Sequence, residues 1–178
     1  MKKLAYLATA AVALSLVGCA TDEPAQIQTA PEPAPVELID TSVPNVRIAY
    51  ENEKVATALK VVNVRMTKNG EFPKLVFQLL NYTKTKFPVE YKVQWLDMDG
   101  APLQSTAAWQ QTTVAAQEAK PVVSMGRATN AVSAQITIRF PNNVEIFVPT
   151  PDPAEKMRIE REVIDEYNAR LSRGELKQ

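Results

Sequence analysis

The sequence predicts a mainly β fold, an immunoglobulin-like antiparallel β-sandwich followed by one C-terminal α-helix. Apolar and polar residues alternate in several short runs between residues 46 and 148, as they do in strands with one buried face. Turn-forming sequences separate these runs, and no convincing helical pattern lies between them. About seven short strands with regular turns favour an antiparallel sandwich over a parallel βαβ sheet.

The chain begins like a bacterial secretory signal. Lys2 and Lys3 precede an apolar core over residues 4–16, and the run Leu16-Val17-Gly18-Cys19 follows. This core is too short to span a bilayer as a permanent helix. The only cysteine stands where a lipoprotein signal ends, so we expect residues 1–18 to be cleaved and Cys19 to be lipidated; the alternative is a buried core cysteine. Because Ala20 rather than aspartate follows, we expect an outer-membrane lipid anchor with the protein facing the periplasm.

A proline- and alanine-rich segment, residues 19–44, comes next. It contains five prolines and no aromatic residue, and its apolar residues follow neither the strand nor the helix period. Such a composition predicts a disordered linker rather than a packed element. The expected organisation is therefore a signal peptide over residues 1–18, a linker over 19–44, a β-sandwich domain over 45–149 and a helical tail over 150–178.

Three runs carry the clearest strand pattern. Their alternating apolar residues are Val62, Val64 and Met66; Tyr91, Val93 and Trp95; and Ile136, Ile138 and Phe140. Residues 74–80, 120–125 and 144–148 are further strand candidates. The run Asp97-Met98-Asp99-Gly100 predicts a hairpin turn, because the later ligands of a calcium loop are missing after its two aspartates.

The tail predicts a helix. Asp152 is a suitable N-cap, Pro153 suits the first helical position, and Gly174 supplies a stop. A narrow apolar stripe runs along the helix, with Val163 beside it: Met157, Ile164, Tyr167 and Leu171. A helix with such a stripe needs a surface to pack on, either a partner protein or its own domain.

The composition bears on function. Basic and acidic residues balance at 20 each, so no excess charge attracts nucleic acid. Histidine is absent, which removes Ser-His-Asp and Cys-His catalysis and histidine-based metal sites. We expect no enzyme, cofactor or metal site. Trp95 shares a strand face with Val93 and is expected in the core. Trp109 is either a core residue as well or, with Tyr82, a candidate contact for a partner or a stacked sugar ring.

Several short motifs carry a resemblance to a known family. They are Trp109, Ile138-Arg139, Asn81-Tyr82-Thr83 and Tyr91-Lys92-Val93-Gln94-Trp95-Leu96-Asp97-Met98-Asp99-Gly100. With the preceding lipoprotein signal, they resemble the YcfL family of small periplasmic lipoproteins over about residues 59–140. The resemblance implies a compact β-sandwich lipoprotein of uncharacterised molecular function. The helical tail departs from that shorter family pattern.

Together these observations predict a non-catalytic interaction module in the cell envelope. It would bind an envelope protein through a sheet edge or through the tail helix. The alternative is a lipoprotein that binds peptidoglycan or another glycan, using Trp109 and nearby tyrosines.

Overall fold

A computed structural model describes residues 38–103, 107–142 and 145–176. The predicted signal peptide, Cys19 and most of the predicted linker lie outside these residues. The described chain forms eight strands and two helices. In order they are β1 (Leu38–Asp40), β2 (Val46–Tyr50), α1 (Glu53–Ala58), β3 (Leu59–Asn69), β4 (Phe72–Asn81), β5 (Phe87–Leu96), β6 (Gln110–Val114), β7 (Ala119–Met125), β8 (Ser133–Arg139) and α2 (Pro153–Ser172).

The strands form two sheets that share one core. One sheet has five strands in the order β1-β2-β8-β5-β6, and the other has three in the order β3-β4-β7. Inward side chains of both sheets belong to a single apolar cluster, in which the Phe77 ring of β4 meets the Tyr91 ring of β5 edge to face. The predicted mainly β sandwich with a C-terminal helix is therefore confirmed.

Local details differ from the prediction. β2 pairs with β8 in parallel, Ile48 opposite Ile136; the two strands are far apart in the chain, and no hairpin forces them to be antiparallel. The six-residue helix α1 precedes β3. β1 lies inside the predicted linker, where pairing with β2 orders three residues that carry no strand pattern of their own.

The predicted strand at residues 144–148 is wrong. Residues 145–150 belong to no strand or helix in the described chain. Ile146 and Val148 are nevertheless half-buried against the core, while Phe147 between them is exposed. The alternation in the sequence therefore reflects packing of an irregular segment on the core rather than pairing in a sheet.

Helix α2 begins and ends where the sequence predicts. The Asp152 carboxylate accepts a hydrogen bond from the Ala154 backbone N–H at 3.0 Å, and Pro153 occupies the first turn. After the helix, Gly174 adopts φ +71°, a left-handed conformation that favours glycine. No helix in residues 38–103, 107–142 or 145–176 combines the length and apolar character needed to cross a membrane.

α2 packs on its own domain. Ile159 is buried in a second apolar cluster with Val62, Leu80 and Tyr82, on the outer face of the three-stranded sheet. Both Leu79 and Leu80 are consequently fully buried, although neighbouring strand residues point to opposite faces. The sequence leaves two surfaces for the predicted helix, a partner protein or its own domain, and α2 packs on its own domain.

Asn81 joins two turns at the end of β4. Its amide nitrogen donates to the carbonyls of Thr85 (2.7 Å) and Ala115 (2.9 Å), and its amide oxygen accepts from the Thr83 backbone N–H (2.9 Å). Asn81 and Thr83 are both buried. The Asn81-Tyr82-Thr83 motif therefore has a structural role in which every polar atom of Asn81 has a partner.

Candidate functional site

A cleft of about 450 Å³ opens where the first turns of α2 meet the domain. The β1–β2 pair, α1, the start of β3 and the end of β4 complete its walls. Its lining combines tyrosines, lysines and carboxylates with a few apolar side chains: Asp40, Tyr50, Ala56, Leu59, Lys60, Tyr82, Pro153, Lys156, Met157 and Glu160.

Glu160 of α2 is the centre of the cleft's hydrogen bonds. One carboxylate oxygen accepts from the Lys60 ammonium of β3, and the other accepts from the Tyr82 hydroxyl at 2.9 Å. Burial raises the pKa of Glu160, but the bonds from Lys60 and Tyr82 outweigh burial and leave it below its usual range. Glu160 is thus an ionised acceptor that ties α2 to β3 and to Tyr82, the residue that follows β4.

Lys156 lies one helical turn before Glu160, beside the same tyrosine. Its ammonium is 4.5 Å from the centroid of the Tyr82 ring and 3.5 Å from the Thr57 carbonyl oxygen. Among the described residues it forms no ion pair with a carboxylate. Burial, followed by repulsion from Lys60, lowers its pKa below the usual value.

The two tyrosines of the cleft stay neutral. Burial raises the pKa of Tyr50 to about 12, even though its hydroxyl accepts a hydrogen bond from the Val61 backbone N–H at 3.0 Å. Burial and then the bond to Glu160 raise the pKa of Tyr82 as well. Perturbed ionisable groups that gather in a cleft mark a candidate functional site, and here they also attach α2.

The cleft has the chemistry of a binding site. It places the Lys156 ammonium next to apolar surface, a combination that recognises polar or anionic groups. Within the described ranges, no group of three or more acidic or cysteine side chains has the arrangement needed to hold a metal ion.

Trp109 lies away from this cleft, just before β6. The Lys92 ammonium is 4.7 Å from the centroid of its ring, and the Arg139 guanidinium carbon is 3.9 Å from it. Arg139 also pairs with Glu90 at 2.7 Å. These side chains alternate with the inward residues of β5 and β8, so they lie on the outer face of the five-stranded sheet. Trp109 is half-buried there.

The two aromatic residues predicted to contact a glycan or partner are not brought together. Tyr82 is only 3% exposed and lies under α2, so it has no ring face available to a sugar. Tyr82 lies on the outer face of the three-stranded sheet, whereas Trp109 lies half-exposed on the outer face of the five-stranded sheet. Trp95, 2% exposed, is in the core as predicted.

The predicted apolar stripe of α2 divides into two parts. The Tyr167 hydroxyl is buried, and Val163 packs beside Ile159 against the domain. Met157 remains 65% exposed. Leu171 is half-buried. Met157 and Ile164 border a shallow depression of about 400 Å³, whose other lining residues are charged: Glu160, Arg161 and Asp165.

Sequence reasoning missed the charged residues of the cleft. Nothing in the sequence separates Lys156 and Glu160 from the other charged residues of the helix, and Lys60 carries no signal. Their spacing is a clue. Lys156 and Glu160 are four residues apart and therefore lie on the same side of the helix, and Glu160 directly follows the apolar Ile159. Their meeting with Lys60, 100 positions away from Glu160, is a tertiary contact.

Comparison with known proteins places the fold in a family. The family model described as "Protein of unknown function (DUF1425)" matches residues 46–140. A DUF1425 family member from Shewanella sp. pv-4 is similar in structure, with 14% identity, a TM-score of 0.44, and coverage of 61% of this chain and 90% of that one. Campylobacter jejuni cj0090 is similar with 21% identity, a TM-score of 0.42, and coverage of 53% and 97%. No curated protein matches the chain. The matched residues span more than half of the sequence, and the chain belongs to the DUF1425 family of proteins of unknown function.

Proposed function

We propose that this protein is a non-catalytic interaction module of the cell envelope, held at the outer membrane by lipid on Cys19 and facing the periplasm. The lipoprotein signal in the sequence supports the anchor, and the YcfL-like motifs support the finer family assignment. The partner is another envelope protein. The part that binds it is the surface of α2 around Met157 and Ile164, which begins at the edge of the cleft.

The exposure of Met157 carries this proposal. A methionine that remains 65% exposed on an ordered, packed helix keeps apolar surface in water, although Ile159 on the same helix is buried. Ile164 lies two turns further on the same side, and charged residues surround both. Apolar residues with a charged rim are typical of protein-binding surfaces, and methionine adapts readily to a partner's shape.

Photocrosslinking in living cells tests the proposal. A photoreactive residue at Met157 or Ile164 of the lipidated protein should capture one dominant envelope protein. The same probe at Glu162, which is exposed elsewhere on α2, should capture at least about tenfold less, because only the surface around Met157 and Ile164 contacts the partner. The cysteine variant Cys19→Ser should leave the outer-membrane fraction and lose the captured protein.

Equal labelling from all three positions would contradict the α2 surface, and outer-membrane fractionation of Cys19→Ser would contradict the anchor. Substitution is preferable to removal of α2. Deletion of residues 152–178 would expose Val62, Leu80 and Tyr82 to water, so loss of a partner could then reflect loss of the fold.

Glycan binding is the second candidate function, and one observation favours it. Trp109 is half-exposed on a sheet face that α2 does not cover, with cationic side chains at its ring. Trp109→Ala should reduce sedimentation with isolated cell-wall sacculi by roughly fivefold, as expected for the loss of about 1 kcal/mol of stacking. Trp109→Phe, which retains an aromatic face, should lose less. Unchanged sedimentation of the alanine variant would exclude this surface.

A further inference from the structure

We propose that the cleft beside α2 recognises a carboxylate of the protein partner, an acidic side chain or a chain terminus, through the ammonium of Lys156. An apolar side chain next to that carboxylate would pack on Met157. This inference rests on the proposed function and names the chemistry of the partner at the same surface.

The charges in the cleft leave one ammonium available. Glu160 has both carboxylate oxygens engaged, by Lys60 and by Tyr82. Asp40, the other carboxylate in the lining, accepts a hydrogen bond from the Ser42 backbone N–H at 2.8 Å. Glu160 attracts the Lys156 ammonium, but no carboxylate in the described part of the chain lies within 4.0 Å of it, so an incoming carboxylate meets a cation whose charge is only partly compensated.

Lys156 is also held in position. The face of the Tyr82 ring lies 4.5 Å from its ammonium, and the Thr57 carbonyl oxygen lies at 3.5 Å. An exposed lysine loses rotamer freedom when it binds a ligand, whereas this side chain is already restricted. Partial burial, which also lowers its pKa, removes competing water and strengthens its attraction for an anion.

Met157 connects the ammonium to the apolar surface. It lines both the cleft and the shallow depression along α2, so the two concavities share a wall. From the N-terminal end of α2 onward, the two concavities present the Lys156 ammonium, the thioether of Met157 and the side chain of Ile164 in that order. A partner segment with an acidic residue next to an apolar one matches this order.

Zero-length crosslinking with a carbodiimide tests the inference, because the reagent joins an amine only to a carboxylate that touches it. Envelope preparations that contain the lipidated protein are treated, and the amide-linked peptides are identified by mass spectrometry. Lys156 is expected to be joined to an acidic residue of the same protein that the Met157 photoprobe captures. Lys60 is expected to be joined to Glu160 within the chain, which provides an internal reference.

Two variants separate charge from reactivity. Lys156→Gln removes the cation and should lower capture by the Met157 photoprobe about tenfold. Lys156→Arg keeps the cation but has no primary amine, so it should lose the carbodiimide product and retain photoprobe capture. The matched control is Lys68→Gln, which removes a charge from an exposed site in the β3–β4 hairpin and should change neither yield.

Each outcome decides the inference. Full photoprobe capture by Lys156→Gln, or a Lys156 product that involves only carboxylates of its own chain, would overturn it and leave the proposed function intact. Absence of capture by the Met157 photoprobe in the unmodified protein would overturn both. Thermal unfolding of each variant must match the parent, and Lys156→Arg provides the comparison if Lys156→Gln is destabilised.

Discussion

Trp95→Ala is expected to lower the free energy of unfolding by about 3–5 kcal/mol, the range for removal of a large aromatic side chain from a packed core. Trp95 is 2% exposed and lies opposite Ala134 of β8. A β-carbon added at Gly126 would lie 3.1 Å from its ring, which shows how closely the backbone approaches. The cavity left by alanine cannot be filled without moving this packing. Urea unfolding followed by circular dichroism measures the change.

Trp109→Ala is the matched control for this experiment. Trp109 is half-exposed, and its ring contacts with Lys92 and Arg139 contribute about 0.5–1 kcal/mol each at such a site. We therefore expect a loss of about 1–2 kcal/mol. Equal destabilisation by the two tryptophan substitutions would contradict the assignment of Trp95 to the core and Trp109 to the surface.

Asn81→Ala is expected to cost about 2–4 kcal/mol of unfolding free energy. The substitution leaves the Thr85 and Ala115 carbonyls and the Thr83 backbone N–H without the partner that Asn81 supplies. Asn81 is fully buried, so water cannot easily replace these bonds. The turn after β4 and the turn before β7 should then loosen together. Hydrogen exchange of both turns, with urea unfolding, measures the effect.

Two controls identify the lost hydrogen bonds as the cause. Asn81→Asp keeps an oxygen acceptor for Thr83 but cannot donate to the carbonyls, so it should also be strongly destabilising. Thr83→Ser keeps the hydroxyl that lies 2.9 Å from the Asn81 amide oxygen and should cost less than about 1 kcal/mol. A stable Asn81→Asp protein would show that the donated bonds contribute little.

The regular elements were largely predictable because their signals are local. Alternation around Val93 identified β5, and the cap at Asp152 located the start of α2. Prediction failed where the chain depends on distant neighbours. β1 has only three residues and is ordered by pairing with β2, and residues 145–148 resemble a strand but have no neighbour with which to pair.

The site was less predictable than the fold. Each of its charged residues looks like an ordinary surface residue in the sequence. Lys60 is half-exposed on a strand, and Glu160 belongs to a helix with charges on most of its circumference. Only the position of α2 on the three-stranded sheet brings them together and buries Tyr82 beside Glu160.

The sequence by itself determined the class of fold, the boundaries of α2 and the placement of Trp95 in the core, because hydrophobic period, capping and strand-face alternation act over a few neighbouring residues. The tertiary structure alone decided which surface α2 covers, that Tyr82 is buried while Met157 is exposed, and that Lys156 is left without an ion-pair partner in the described chain. These features depend on contacts between residues far apart in the chain, and such contacts arise only when the sheets and the helix pack.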